Sequence, residues 1–384
     1  MTISFFSNYL THHQIPFCEA MCRLPEVEFY FVSSMPMEQE RKDGGWDFSE
    51  QYPYEVKAYL NEENAEKALE LARTCDVMII GSAPEVYVKT RMAAGKNKLT
   101  LRYSERIYKT GRWRVLSPRG ALLRLSTYFR YLGKPLYMLC ASAYTAGDLA
   151  MLGSYLGRCY KWGYFPATKT YENIDAVIDH KEPHTILWTA RMIRLKHPEI
   201  PVEIARRLRA EGYAFRLDMI GAGAMEHQIK DLITTNGLQE QVRLLGTMTP
   251  EQVREEMEKH QLFLFTSDQN EGWGAVLNEA MNSGCAVVAN QQIGSVPFLL
   301  QDGVNGCVYQ KGNVDELYQK VKDLLDHPQK ATAMGKSAYE TITGRWSAEP
   351  AAKRLVTLIK SMQQGENTPY FDGPCSKAPI HIKE

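Results

Sequence analysis

The chain has 384 residues, 44% hydrophobic and 23% charged, a composition too apolar for a disordered polymer and a length that suits two domains. Lys plus Arg and Asp plus Glu are equal at 45 each, and a formally neutral chain argues against a protein that coats nucleic acid. No apolar run reaches the ~18 residues of a membrane span, and the opening Met1-Thr-Ile-Ser-Phe-Phe-Ser-Asn lacks the basic region of a secretory signal.

The eight cysteines include no CxxC pair and no Cys/His cluster of zinc spacing. They read as small core residues of a reducing compartment, and a cytoplasmic protein without a metal is expected.

In chain order, the first half offers strands at Thr2–Phe6, Glu28–Val32, Val77–Ile80, Leu99–Tyr103 and Leu136–Cys140. Helices are expected near 14–23, 65–74, 120–132 and 143–155. This alternation predicts one α/β domain over 1–168. Its charge is uneven: residues 1–85 carry 6 basic and 15 acidic side chains, and residues 86–170 carry 16 and 2.

The loop after the first strand contains His12 and His13, either of which suits an acceptor or a phosphate, or simply the start of a helix. Glu105 is the only acid in a long basic stretch. It suits an acceptor-side base or an ion-pair partner of Arg102 or Arg106. Residues 106–134 then interleave Arg106, Lys109, Arg112, Arg114, Arg119, Arg124, Arg130 and Lys134 with aromatics, and Leu122, Leu125, Phe129 and Leu132 fall on one helical stripe. A basic, aromatic, amphipathic segment suits an anionic membrane surface, although a solvated face of an ordinary helix has the same pattern.

Gly163, Pro166 and Pro183 punctuate a polar change-over. Beyond it, short apolar runs at Thr185–Ala190, Phe215–Ile220, Val242–Leu245, Leu262–Thr266 and Ala286–Ala289 alternate with helix candidates 199–211, 225–236, 250–259 and 273–283. Uninterrupted apolar strands are those of a parallel sheet covered on both faces. Thr249-Pro250 reads as a helix start and Asn282-Ser-Gly284 as a stop. A second α/β domain is expected over 169–345. Trp346-Ser-Ala-Glu-Pro350 opens a last helix to about 364, and an irregular tail completes the segment 346–384.

The densest chemistry lies in Ser267-Asp-Gln-Asn-Glu271-Gly-Trp-Gly-Ala-Val-Leu-Asn-Glu279-Ala-Met-Asn-Ser-Gly284. It leaves a strand and opens a helix, so the backbone N–H groups near Ala275 and Val276 point outward at the positive end of a helix dipole. Gly272 and Gly274 permit close approach by a phosphate. Glu279 follows Glu271 by about two turns, which lets one carboxylate reach a sugar and the other a ribose. A plain strand-to-helix junction is the competing explanation, and an exposed Trp273 between two glycines argues against it.

This stretch, in the form EGWGAVLNEAMNSGCAVVA, resembles the signature of retaining family 4 (group 1) glycosyltransferases. Ala190-Arg191-Met-Ile-Arg-Leu-Lys196 resembles the family's G-R-x-x-x-x-K segment, Met219-Ile-Gly221-Ala-Gly223 its G-x-G turn, and Val242-Arg-Leu-Leu-Gly246-Thr-Met248 the strand that ends beside the nucleotide base. Gly294-Ser-Val-Pro297 and Asp302-Gly-Val-Asn305-Gly306 are similar to later landmarks, so the resemblance covers about 184–345.

The resemblance implies a GT-B fold, two Rossmann-like doubly wound domains facing a cleft, with the acceptor bound to the first and a nucleotide sugar to the second. It implies that Arg191 and Lys196 hold the donor diphosphate, that Glu271 contacts the donor sugar without acting as a nucleophile, and that Glu279 contacts the ribose. Gly272, Trp273, Gly274, Ala275, Val276, Gly221, Gly246 and Met248 complete the donor site, with no metal or other cofactor. UDP is the expected nucleotide. Many bacterial relatives of this type act on lipid-linked intermediates of surface polysaccharides, which implies a glycan or lipid-linked acceptor and association with the inner face of the plasma membrane through residues 106–134. Two departures stand out: Phe298 follows Pro297 where the family often has Glu, and the first loop lacks the common Gly-Gly. The competing readings are a UDP-sugar epimerase of the same fold and a catalytically silent sugar-nucleotide-binding subunit.

Overall fold

β1 (Thr2–Ser7) runs down the middle of a parallel sheet because every residue from Ile3 to Ser7 is buried. The computed structural model describes residues 1–37, 51–95, 98–109, 117–118, 122, 125 and 128–381. β1 pairs on one side with β2 (Glu28–Ser33) and on the other with β4 (Val77–Ile80), Phe5 lying opposite both Phe31 and Ile79. With β3 (Glu55–Lys57), β5 (Leu99–Ser104), β6 (Leu136–Cys140) and β7 (Cys159–Lys161), the order is β3-β2-β1-β4-β5-β6-β7. The second sheet comprises β8 (Glu182–Thr189), β9 (Arg216–Ile220), β10 (Val242–Gly246), β11 (His260–Phe265), β12 (Ala286–Asn290) and β13 (Cys307–Tyr309), in the order β10-β9-β8-β11-β12-β13. Both orders reverse direction beside the first strand of their sheet, the topology of a doubly wound nucleotide-binding domain.

The chain divides into two compact units, Met1–Ala167 with Trp346–Lys383, and Thr168–Arg345. The helix Ala348–Gln364 belongs to the first unit and packs on the helix Ile15–Cys22. In the second unit, Ile186, Trp188, Leu217, Met219, Leu262 and Leu264 form a continuous core under the flanking helices. Asp218 is also fully buried there. It is satisfied by Arg216 (3.0 Å), Arg243 (2.7 Å) and His260 Nε2 (2.8 Å). His260 Nδ1 faces the Glu256 carbonyl at 2.7 Å. Asp218, Glu256 and His260 lie close enough to hold a metal ion, but the guanidinium groups of Arg216 and Arg243 already occupy the Asp218 carboxylate, as in an ion-pair network.

Helix ends differ from the sequence reading where backbone chemistry intervenes. The helix expected over 143–155 spans only Thr145–Met151, because Gly153 and Tyr155 adopt φ of +62° and +54°. That expected over 273–283 begins at Val276, since Gly274 has φ of +79°. The start at Thr249-Pro250 is a full capping box with Gln252. The helix expected near 120–132 lies largely outside the described residues, and at its end Phe129–Tyr131 is a 3₁₀ turn. Beyond Gln364 the described tail runs through turns and bends and makes a bridge to β7. Tyr160 and Lys377 pair antiparallel, with Lys161 N–H donating to the Ser376 carbonyl (2.8 Å) and Ala378 N–H to that of Cys159 (3.0 Å), so the tail covers the β7 edge.

Candidate functional site

In the second unit the topology reverses between β8 and β11, and the loops leaving their C-terminal ends carry Arg191 to Lys196 and Ser267 to Ala275. A buried chain of hydrogen bonds ties these loops together. Trp188 Nε1 donates to Thr266 Oγ1 (2.9 Å), whose hydroxyl donates to the Lys196 carbonyl (2.7 Å). Asp268 N–H donates to the Leu195 carbonyl (3.0 Å). The Lys196 ammonium is thereby held against the Glu271 carboxylate in a largely buried ion pair. Arg191 is exposed and has no ion pair among the described residues. One of these two cations is matched and the other is open.

Gly221 explains how the Arg191 loop sits so close: a Cβ there would lie 2.0 Å from the Ala190 carbonyl oxygen. Its N–H donates to the Gly246 carbonyl (2.7 Å), which ties the turn after β9 to the end of β10. Gly274, at φ +79°, has room for no Cβ either, since one would fall 2.3 Å from the Phe265 ring. The turn lets Ala275 lead into the helix Val276–Asn282 without a side-chain cap on its first amides. Met248 is half-buried just beyond β10.

Trp273 is not exposed. It is completely buried, its Nε1 donating to Asn278 Oδ1 (2.9 Å) and its carbonyl accepting from Ser295 Oγ (2.5 Å). Gly272 beside it is buried as well. Phe298 packs 6.4 Å from the Trp273 ring, an apolar contact at the position where the sequence departs from the family. Trp273 therefore braces the Glu271 loop from beneath; an indole between glycines signals packing as readily as binding. Glu279 is half-buried, and loss of solvent pushes its carboxyl above the ordinary range, opposed by the Arg254 charge. Arg254, which sequence reasoning missed, donates to the Glu279 carbonyl (3.1 Å) and to Asn282 Oδ1 (2.7 Å). Trp188 and Thr266 were missed too, because inside an apolar run they look like ordinary strand residues.

In the first unit the reversal lies between β1 and β4, and a cavity of about 620 Å³ opens there, lined by residues including Asn8, His13, Gln14, Arg102, Glu105, Arg106 and Tyr164. The His12 and His13 rings lie 3.7 Å apart, and burial lowers them to about 4 and about 3, so both are neutral at pH 7. Neither caps the helix Ile15–Cys22, whose preceding turn is closed by Gln14 accepting from Thr11. Glu105 pairs with neither Arg102 nor Arg106. It binds Lys109 (2.6 Å) and accepts from the Tyr164 hydroxyl (2.5 Å), while Arg102 binds Glu85. Arg106 is buried beside Asp148 (3.7 Å) and under the Tyr144 ring, so its charge is spent inside the unit. Arg112, Arg114, Arg119 and Arg124 lie outside the described residues.

Residues 171–341 match the family model of glycosyl transferases group 1. A segment of 141 residues is 30% identical to an amylovoran biosynthesis glycosyltransferase of Erwinia amylovora, covering 35% of this chain and 34% of that one. Another, of 174 residues, is 26% identical to the poly(ribitol-phosphate) alpha-N-acetylglucosaminyltransferase of Staphylococcus aureus, covering 45% and 34%. The matches thus span about a third of these relatives' length. The fold is GT-B: Anabaena HepE, solved in complex with UDP, superposes with a TM-score of 0.66 over 94% of this chain and all of that one, at 15% identity.

Proposed function

With residues 171–341 belonging to the group 1 glycosyl transferases, we propose that this protein transfers a sugar from a nucleotide diphosphate donor to a hydroxyl of a glycan acceptor in the assembly of a surface polysaccharide. The observation that carries this reading is the Lys196–Glu271 pair fixed beside the open Arg191 at the reversal point of the second sheet. Departure of a diphosphate builds negative charge on its oxygens, and preorganised cations lower the barrier without reorganising at the moment of reaction. Arg191 and Lys196 take that role, together with the uncapped amides at Ala275 and Val276. Glu271 is held by Lys196 where a donor sugar's hydroxyls would lie, and the half-buried Glu279 is the ribose contact.

The donor is a UDP-sugar on this reading, supported by the UDP bound in Anabaena HepE. The reaction retains anomeric configuration: the acceptor oxygen attacks the anomeric carbon on the face the diphosphate leaves, the C–O bond to phosphate breaks, and the hydroxyl proton passes to the departing phosphate oxygen. The two cations supply what a metal would otherwise supply. A thermal-shift panel of UDP, GDP, ADP and CMP, with and without EDTA, tests this. A shift confined to UDP, insensitive to EDTA and lost in Glu279→Ala, is expected; no shift with any nucleotide would contradict the proposal.

The acceptor is placed on the first unit and is lipid-linked, and residues 106–134 hold the protein to an anionic membrane surface. Leu122, Leu125 and Leu132 are exposed there at 65%, 57% and 61%, with Arg130 exposed beside them. Among the described residues no helix is long and apolar enough to cross a membrane. Replacing Arg112, Arg114, Arg119 and Arg124 by Ser should abolish binding to anionic vesicles, and unchanged binding would refute a surface role.

A further inference from the structure

The first-unit cavity has a charge pattern that narrows what it accepts. At about 620 Å³ it falls within the range of small-molecule sites. Three cations stand in its wall, and among the described residues each faces a carboxylate: Arg102 binds both oxygens of Glu85 (2.8 and 3.1 Å), Lys109 binds Glu105 (2.6 Å), and Arg106 lies against Asp148 (3.7 Å). His13 adds no charge at neutral pH. The other polar lining groups are amides, hydroxyls and phenols, beside the apolar Ile80, Ile107, Met138 and Leu149, with the rings of Tyr103 and Tyr164 centred 6.3 Å apart. Tyr155 is buried in the same wall, and its hydroxyl has no hydrogen-bond partner among the described residues.

A phosphate or carboxylate entering this wall would meet Glu105 and would have to draw a cation from an existing pair, leaving a poorly solvated charge behind. An uncharged polyol exchanges its hydrogen bonds with water for those of Asn8, Gln14 and Glu105 and lays its C–H face on a phenol ring. Each Glu105 oxygen already accepts one bond, from Tyr164 or Lys109, and has a further lone pair to offer.

We propose that this cavity binds an uncharged sugar ring, the terminal unit of the acceptor, with Glu105 accepting a hydrogen bond from one of its hydroxyls, and that it discriminates against phosphorylated and uronic rings. The proposal rests on the glycosyltransferase reading above. Its test is ligand-observed NMR and calorimetry on the full chain with the methyl glycosides of glucose, galactose, mannose and N-acetylglucosamine, the corresponding 6-phosphates and uronates, and UDP as an independent probe. At least one neutral glycoside should bind about tenfold more tightly than its charged counterparts, equivalent to ~1.4 kcal/mol. Glu105→Gln and Tyr164→Phe should each weaken it several-fold while UDP affinity stays unchanged. Charged rings binding as tightly as neutral ones, or neutral binding indifferent to both variants, would overturn the proposal. UDP binding without any neutral-sugar binding overturns it but leaves the glycosyltransferase reading standing, whereas neutral-sugar binding without UDP binding sustains the cavity and sinks that reading.

Discussion

At the ends of β8 and β11 the second unit leaves Arg191 open to solvent and sets Lys196 against one carboxylate. At the ends of β1, β4 and β5 the first unit, built on the same strand order, gives each of Arg102, Arg106 and Lys109 its own carboxylate. Two sheets of like topology thus present crevices of unlike charge. The difference lies in loop residues, which sheet architecture leaves free to vary. On the proposed function, an open cation would suit a diphosphate and paired cations a neutral ring, so one topology would serve both ends of a transfer.

The comparison breaks most easily at Glu271. If the second crevice is the reacting one, Glu271→Ala should lower turnover by about 10²–10³-fold, the effect of removing one preorganised polar group. The balance of the first unit is tested by Asp148→Ala. Asp148 and the Arg106 side chain are almost wholly buried, and the carboxylate also accepts the Ile107 and Tyr108 N–H groups at 3.0 and 3.1 Å. Removing it should cost about 3–5 kcal/mol in chemical denaturation, as for other broken buried pairs. A cost near zero would mean that the Arg106 charge finds solvent.

A smaller effect concerns pH. His13 is depressed to about 3 in the folded protein by burial, with the His12 charge adding to it, against 6.5 for the free group. The unfolded chain therefore takes up a proton below about pH 6.5 that the folded one refuses, and stability falls as pH drops from there towards 3. His13→Gln should flatten that fall in urea titrations between pH 7 and 4; an unchanged slope would show that the ring is solvated.

Much of the second unit was legible because burial on both faces writes strands as apolar runs, as at Leu262–Phe265 and Ala286–Ala289, and because the Glu271–Glu279 stretch carries its spacing in one segment. What escaped depends on contacts between distant residues. The Trp188–Thr266–Lys196 chain joins positions 78 and 70 residues apart. Arg102 has Glu105 three residues on, yet its partner is Glu85, 17 residues back, while Glu105 pairs with Lys109 and also accepts from Tyr164, 59 residues away. The anchoring of the tail also escaped: it rests on the edge of β7 and on Arg354, which binds the Pro374 carbonyl (2.7 Å) and lies 3.9 Å over the Tyr370 ring. Trp273 misled for a related reason: its cover, Ser295 and Phe298, lies on another loop.

Arg191 and Lys196 are proposed to hold the diphosphate of a nucleotide sugar. Calorimetric titration of UDP and of uridine into the wild type and the Arg191→Ala/Lys196→Ala variant measures it most directly. Bonds to charged groups contribute about 1.5–3 kcal/mol each, so UDP affinity should fall at least about a hundredfold while the weaker binding of uridine is unchanged. Equal loss of both ligands, or UDP binding that survives the double substitution, would contradict the assignment.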